Sequence, residues 1–112
     1  MTEAELQDGI ATAAQYAGWK VMHVRRDRTN DAGWRTPVQY DGKGWPDPFL
    51  AHPERGVMAI ECKSRRGRLT LEQSDWLDTL AAAGVDVVVA RPGNYDETIA
   101  TITSGVKPSE SP

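Results

Sequence analysis

Apolar residues follow two periods along the chain. Leu6, Ile10, Ala13, Ala14 and Ala17 recur at helical spacing, so residues 2–17 read as an amphipathic helix with Gly18 as its stop. Thr2 and Glu5 have the spacing of a capping box at its start. Strand-length apolar runs follow at 19–24, 47–51, 57–63 and 85–90. The last is apolar apart from Asp86, as expected of a strand covered on both faces. Helical spacing returns at 70–82, with Gln73, Trp76, Leu77 and Leu80 on one face and Gly84 after it. It returns again at 94–103, with Asn94 as cap and Tyr95, Ile99 and Ile102 inward. Residues 104–112 are Ser- and Pro-rich and read as a disordered tail. The order helix, strand, strand, strand, helix, strand, helix predicts one α/β domain over residues 1–103, a sandwich with a mixed central sheet.

Between the first strand and Gly44 the chain reads as irregular. A connection that long in a small domain is usually functional or disordered. It carries Arg25, Arg26, Arg28, Trp34, Arg35, Tyr40 and Lys43, a basic run with aromatic interleaving. Such a segment can track phosphates and stack on exposed bases, or it can be a solvated charged loop. It leads directly into Asp47, which favours substrate contact.

Composition narrows the class. The chain has 112 residues, 39% hydrophobic and 26% charged, in the range of one globular domain. Net charge is −3, which argues against nonspecific coating of nucleic acid. Between Lys20 and Arg68, however, eleven Lys or Arg stand against six Asp or Glu, so the middle is locally basic. One cysteine excludes an internal disulfide, fits a reducing compartment and argues against a cysteine-ligated zinc site. No apolar stretch is long enough to span a membrane, and the acidic start is unlike a secretion signal. A cytoplasmic protein is expected.

The chemistry gathers around Gly44-Trp45-Pro46-Asp47 and the run Val57-Met58-Ala59-Ile60-Glu61-Cys62-Lys63. Strand alternation puts Glu61 and Lys63 on one face and Cys62 on the other, which makes Cys62 a small core residue. If 47–51 and 57–63 pair as a hairpin, Asp47, Glu61 and Lys63 converge at one end of the sheet. Two acids and an amine are costly to desolvate unless neutralised. Mg²⁺ answers that need, being held by one or two carboxylates with waters and phosphate oxygens. Taken alone, Glu-x-Lys at a strand end is more often a plain ion pair. The turn Ser64-Arg65-Arg66-Gly67-Arg68 follows at once, and Arg65, Arg66 and Arg68 there suit phosphate binding.

Asp47 after Pro46, then Glu61-Cys62-Lys63, resembles the PD-(D/E)XK nuclease signature. Gly-x-Pro-Asp, Glu-x-Lys and downstream Gln73 resemble its virus-type replication-repair (VRR-NUC) branch. Pro48 departs from the apolar residue usual there, and should lie at an edge or bulge. The resemblance implies a restriction-endonuclease-like three-layer sandwich of the order α-β-β-β-α-β-α. It implies a metal-dependent endonuclease that uses Mg²⁺ or Mn²⁺ on DNA. Asp47, Glu61, Glu3 and the backbone carbonyl of Cys62 would hold the metal, with Lys63 orienting the nucleophile.

Glu3, in Glu3-Ala4-Glu5-Leu6-Gln7, matches the family's first-helix glutamate; its alternative is a carboxylate complementing the helix dipole. Gln73 matches a glutamine beside the active site, and Thr70-Leu71-Glu72-Gln73 is equally a capping box. His23 reads as a structural or substrate-contact residue, and His52 has no assigned role. Compact stand-alone relatives, often phage-encoded, look like Holliday-junction resolvases of recombination and repair, and they usually dimerise. A restriction- or repair-type nuclease on duplex or nicked DNA, or a non-catalytic DNA-binding subunit, are the alternatives.

Overall fold

Residues Glu3–Tyr16 form α1, whose start is fixed by a reciprocal cap. The Thr2 hydroxyl accepts from the Glu5 N–H at 3.1 Å, and the Glu5 carboxylate accepts from the Thr2 N–H at 2.8 Å. Gly18, at φ +94°, takes the left-handed turn that ends the helix. The fold is described from a computed structural model covering residues 1–24, 27–29, 33–35 and 39–104, with the backbone alone at 27–29 and 33–35.

Six strands follow: β1 (Lys20–Met22), β2 (Asp27–Thr29), β3 (Gly33–Arg35), β4 (Phe49–His52), β5 (Gly56–Cys62) and β6 (Asp86–Ala90). The main sheet has the order β1-β4-β5-β6. β4 runs antiparallel to both β1 and β5, whereas β6 is parallel to β5, so the sheet is mixed. The parallel step needs a crossover, and α2 (Leu71–Ala82) provides it. After β6 a 3-10 turn, Pro92–Asn94, leads into α3 (Tyr95–Thr103).

Alternation along β5 divides the molecule into layers. Met58, Ile60 and Cys62 pack in one apolar cluster with Leu6 and Ile10 of α1 and Ile102 of α3. Glu61, one step out of phase, meets Gln73 of α2. Thus α1 and α3 cover one face of the sheet and α2 the other. Leu6, Ile10, Leu50, Ile60 and Ile102 are wholly buried, each contributing about 1.5–3 kcal/mol of burial.

One ionic clamp completes the core. The Trp19 indole donates to the Ile102 carbonyl at 3.0 Å, and the Arg55 guanidinium donates to the carbonyls of Ile102 and of Thr101, the latter at 2.7 Å. Arg55 also lies 4.8 Å over the Trp19 ring. A cation thereby closes the C-terminal end of α3, where the helix dipole is negative.

Three expectations change. The irregular stretch after β1 contains a second, two-stranded sheet of β2 and β3. Neither strand has the apolar alternation by which strands are read. Pro48, expected at an edge or bulge, lies just ahead of β4, an interior strand. Pairing with β1 stops at Met22–Phe49, so the missing proline N–H costs no ladder bond, while the Pro48 carbonyl accepts from Ile60 at 2.9 Å. Finally, Asn94 stands at the expected N-cap position of α3, but its side chain makes no capping bond there. It accepts from the Arg91 N–H and donates to the Val89 carbonyl, binding the 3-10 turn to the end of β6. Of the expected disordered tail, residues 105–112 lie outside the described residues.

Candidate active site

The β4–β5 hairpin sets the register of the two acids. Phe49 faces Ala59, and the Pro48–Ile60 backbone bond carries the ladder one step further. Asp47 and Glu61, the residues next to that bond, thus lie at the same end of the hairpin. Their side chains are held by different elements, as follows.

Glu61 is buried, at 6% exposure. Its Oε2 lies 3.8 Å from Lys63 Nζ and 3.4 Å from Gln73 Nε2. Gln73 does two things at once. Its amide oxygen accepts from the Thr70 N–H at 2.9 Å, closing the capping box of α2, while its amide nitrogen reaches Glu61. The start of α2 is therefore locked onto the end of β5 by a single side chain.

Asp47 is reached from the other direction. His23 Nδ1 lies 2.8 Å from Oδ2 and 3.0 Å from Oδ1, and the Val24 N–H donates to Oδ2 at 3.3 Å. The sequence reading gave His23 no such partner. Only the pairing of β1 with β4, which ends at Met22–Phe49, brings the residues after Met22 near those before Phe49.

The loop that delivers Asp47 is fastened to α2. At φ +89°, Gly44 packs so closely that a Cβ there would sit 2.6 Å from the Glu72 backbone carbon and 2.8 Å from the Gln73 nitrogen. Only glycine fits. Trp45 stacks edge-on against Trp76 at 4.9 Å, and the Trp76 indole donates to the Asp41 carbonyl at 2.8 Å. Trp45 also lies 5.2 Å from Phe49 of β4.

Cys62 points into the core and is buried. Its thiol pKa is pushed up to about 12, first by burial and then by the negative charges of Glu61, Asp47 and Glu3. All three carboxylates thus act on one buried atom. A thiol held neutral at ordinary pH is no nucleophile.

The remaining expected residues divide. Glu3 is exposed in the first turn of α1, on the Cys62 side of the sheet. Among the described residues no three His, Cys, Asp or Glu stand together as a metal-holding group, so Glu3 is not gathered with Asp47 and Glu61 into one. Two carboxylates still suit a hard cation such as Mg²⁺, which completes its shell with water and phosphate oxygens. Arg65, Arg66 and Arg68 are exposed on the turn after β5, without an ion-pair partner among the described residues. Arg91 braces that turn, donating to the carbonyls of Ser64 at 2.9 Å and Gly67 at 2.6 Å.

Lys43 lies 4.0 Å from Glu72, in a groove also lined by Asp41 and Asp75, so its surroundings are acidic. Tyr40 projects beside it, 99% exposed. Arg25 and Arg26 lie outside the described residues, and the side chains of Arg28 and Arg35 are not described. His52 is structural: its ring meets Trp19 edge-on at 5.3 Å and accepts from the Glu54 N–H at 3.1 Å. No helix among the described residues is long and apolar enough to cross a membrane.

The family model of the VRR-NUC domain matches residues 7–92. No curated protein and no solved structure matches the chain.

Proposed function

The chain belongs to the VRR-NUC family, nucleases of the PD-(D/E)XK type, and on that premise we propose that it is an Mg²⁺- or Mn²⁺-dependent endonuclease cutting branched DNA of the Holliday-junction kind. The observation that carries the reading is that the Pro48–Ile60 bond brings Asp47 and Glu61 to one end of the β4–β5 hairpin, with the Lys63 amine 3.8 Å from Glu61.

Asp47, Glu61 and the Cys62 carbonyl would hold the cation, and Glu3 adds negative charge from α1. The bound cation supplies Lewis-acid activation of water and neutralises phosphate charge. Lys63 orients the attacking water and offsets the charge that develops on the phosphate oxygens. Gln73 holds the Glu61 carboxylate in place, and the Arg65, Arg66 and Arg68 turn grips the backbone on either side of the cut. The basic segment carrying Arg25, Arg26, Arg28 and Arg35 follows the adjoining phosphates, with Lys43 at its far end. A two-fold dimer would bring two such sites to one junction for paired cuts. The work is done in the cytoplasm, that of the host if the chain is phage-encoded.

A cleavage panel tests this reading. Four-way junction, flap, nicked duplex, plain duplex and single strand are incubated with protein and Mg²⁺, Mn²⁺ or EDTA. The junction is expected to be cut with either metal and left intact in EDTA. Preference for nicked or plain duplex would turn the reading to a restriction- or repair-type enzyme. Binding without cutting on any substrate would leave a non-catalytic DNA-binding subunit.

A further inference from the structure

His23 and Val24 directly follow β1, whose pairing with β4 ends at Met22–Phe49. Three contacts on one carboxylate result. His23 Nδ1 bridges both oxygens of Asp47, at 2.8 and 3.0 Å, and the Val24 N–H reaches Oδ2 at 3.3 Å. An ionised carboxylate only accepts hydrogen bonds, so Nδ1 carries the hydrogen whichever charge the ring has. With roughly four lone-pair positions on a carboxylate, these contacts take one on Oδ1 and two on Oδ2. Among the described residues, the position left open is on Oδ1.

Asp47 sits in the loop ahead of β4 rather than within the ladder. Its carboxylate therefore depends on side-chain and backbone donors for a fixed orientation. Glu61 is braced separately by Gln73 and Lys63. The two acids are thus set from opposite flanks, one by the end of β1 and the other by α2 and β5.

We propose that His23 is a positioning residue for Asp47, fixing its carboxylate so that Oδ1 is presented to the divalent cation; the proposal rests on the metal-dependent reading above. Hydrogen-bonding partners of metal ligands typically raise metal affinity about 10–100-fold, by orienting the ligand before it binds. His23 is half exposed, with 51% of its side chain accessible, so replacing it removes little packing.

The test is Mn²⁺ affinity of the whole chain without DNA, measured by titration calorimetry, for the parent and for His23→Ala, His23→Asn, His23→Gln and Asp47→Ala. An Asn amide nitrogen can stand where Nδ1 stands, whereas that of Gln extends to the Nε2 position. His23→Ala and His23→Gln are expected to weaken Mn²⁺ binding about 10-fold or more, with His23→Asn recovering most of the loss. Single-turnover cleavage by His23→Ala should return to near the parent rate at saturating Mn²⁺.

If Asp47→Ala weakens Mn²⁺ binding and His23→Ala does not, His23 has no positioning role and the proposal is overturned. Equal loss in the Asn and Gln variants also overturns it, because position on the ring would then not matter. If Asp47→Ala binds Mn²⁺ as the parent does, the metal reading of Asp47 fails and this proposal with it.

Discussion

The backbone N–H of Ile60 donates to the carbonyl of Pro48 across 2.9 Å, one step beyond the paired residues of β4 and β5. That bond brings the adjoining Asp47 and Glu61 to one end of the sheet, and the chemistry follows from their sharing it. Asp47→Asn and Glu61→Gln should each slow cleavage about 10²–10³-fold. The double variant should lose little more than either single one, because groups that hold one ion act as a unit. Single-turnover rates on a common DNA substrate measure the coupling.

Much of this site was legible in the sequence. The strand ending in Glu61-Cys62-Lys63 announces itself through alternation, and the structure puts Cys62 in the core and Lys63 beside Glu61. Both capping boxes were readable from Thr2–Glu5 and Thr70–Gln73, since caps are local. The His23–Asp47 contact was not, because 24 residues separate the partners and only strand register joins them. Arg55 was silent for the same reason: its carbonyl partners on α3 lie 46 and 47 residues away. The β2–β3 pair was missed because its strands lack apolar alternation, leaving periodicity nothing to detect.

Gly44→Ala should destabilise the protein by about 2–4 kcal/mol. The substitution adds a Cβ 2.6 Å from the Glu72 backbone, at a φ of +89° that L-residues rarely adopt. Urea unfolding should show a lower midpoint at unchanged slope. A midpoint equal to that of the parent would mean that the loop is not pressed against α2.

Gln73 separates stability from activity. Gln73→Ala removes both the cap and the amide on Glu61, costing about 1 kcal/mol of stability together with cleavage rate. Gln73→Glu keeps a capping-box acceptor but sets a second carboxylate beside Glu61. It should recover part of the stability and none of the rate, as read by urea unfolding and single-turnover cleavage.

The thiol of Cys62 should resist iodoacetamide at pH 8 in the folded protein and react readily after unfolding in urea. Its folded pKa, about 12, lies above the unfolded value near 8.5. The linked stability is therefore fully present below about pH 8.5 and is lost as pH rises toward 12. Urea midpoints should fall across that alkaline window, and Cys62→Ala should flatten the fall while leaving DNA cleavage intact.

The central claim is that Asp47, Glu61 and Lys63 together perform phosphodiester hydrolysis. Its most direct test is the Mg²⁺-dependent single-turnover rate of Lys63→Ala on the substrate the parent cuts best, with DNA affinity measured alongside. The account predicts a loss of roughly 10²-fold or more in rate with affinity within about 2-fold of the parent. A variant that cuts at the parent rate would contradict it.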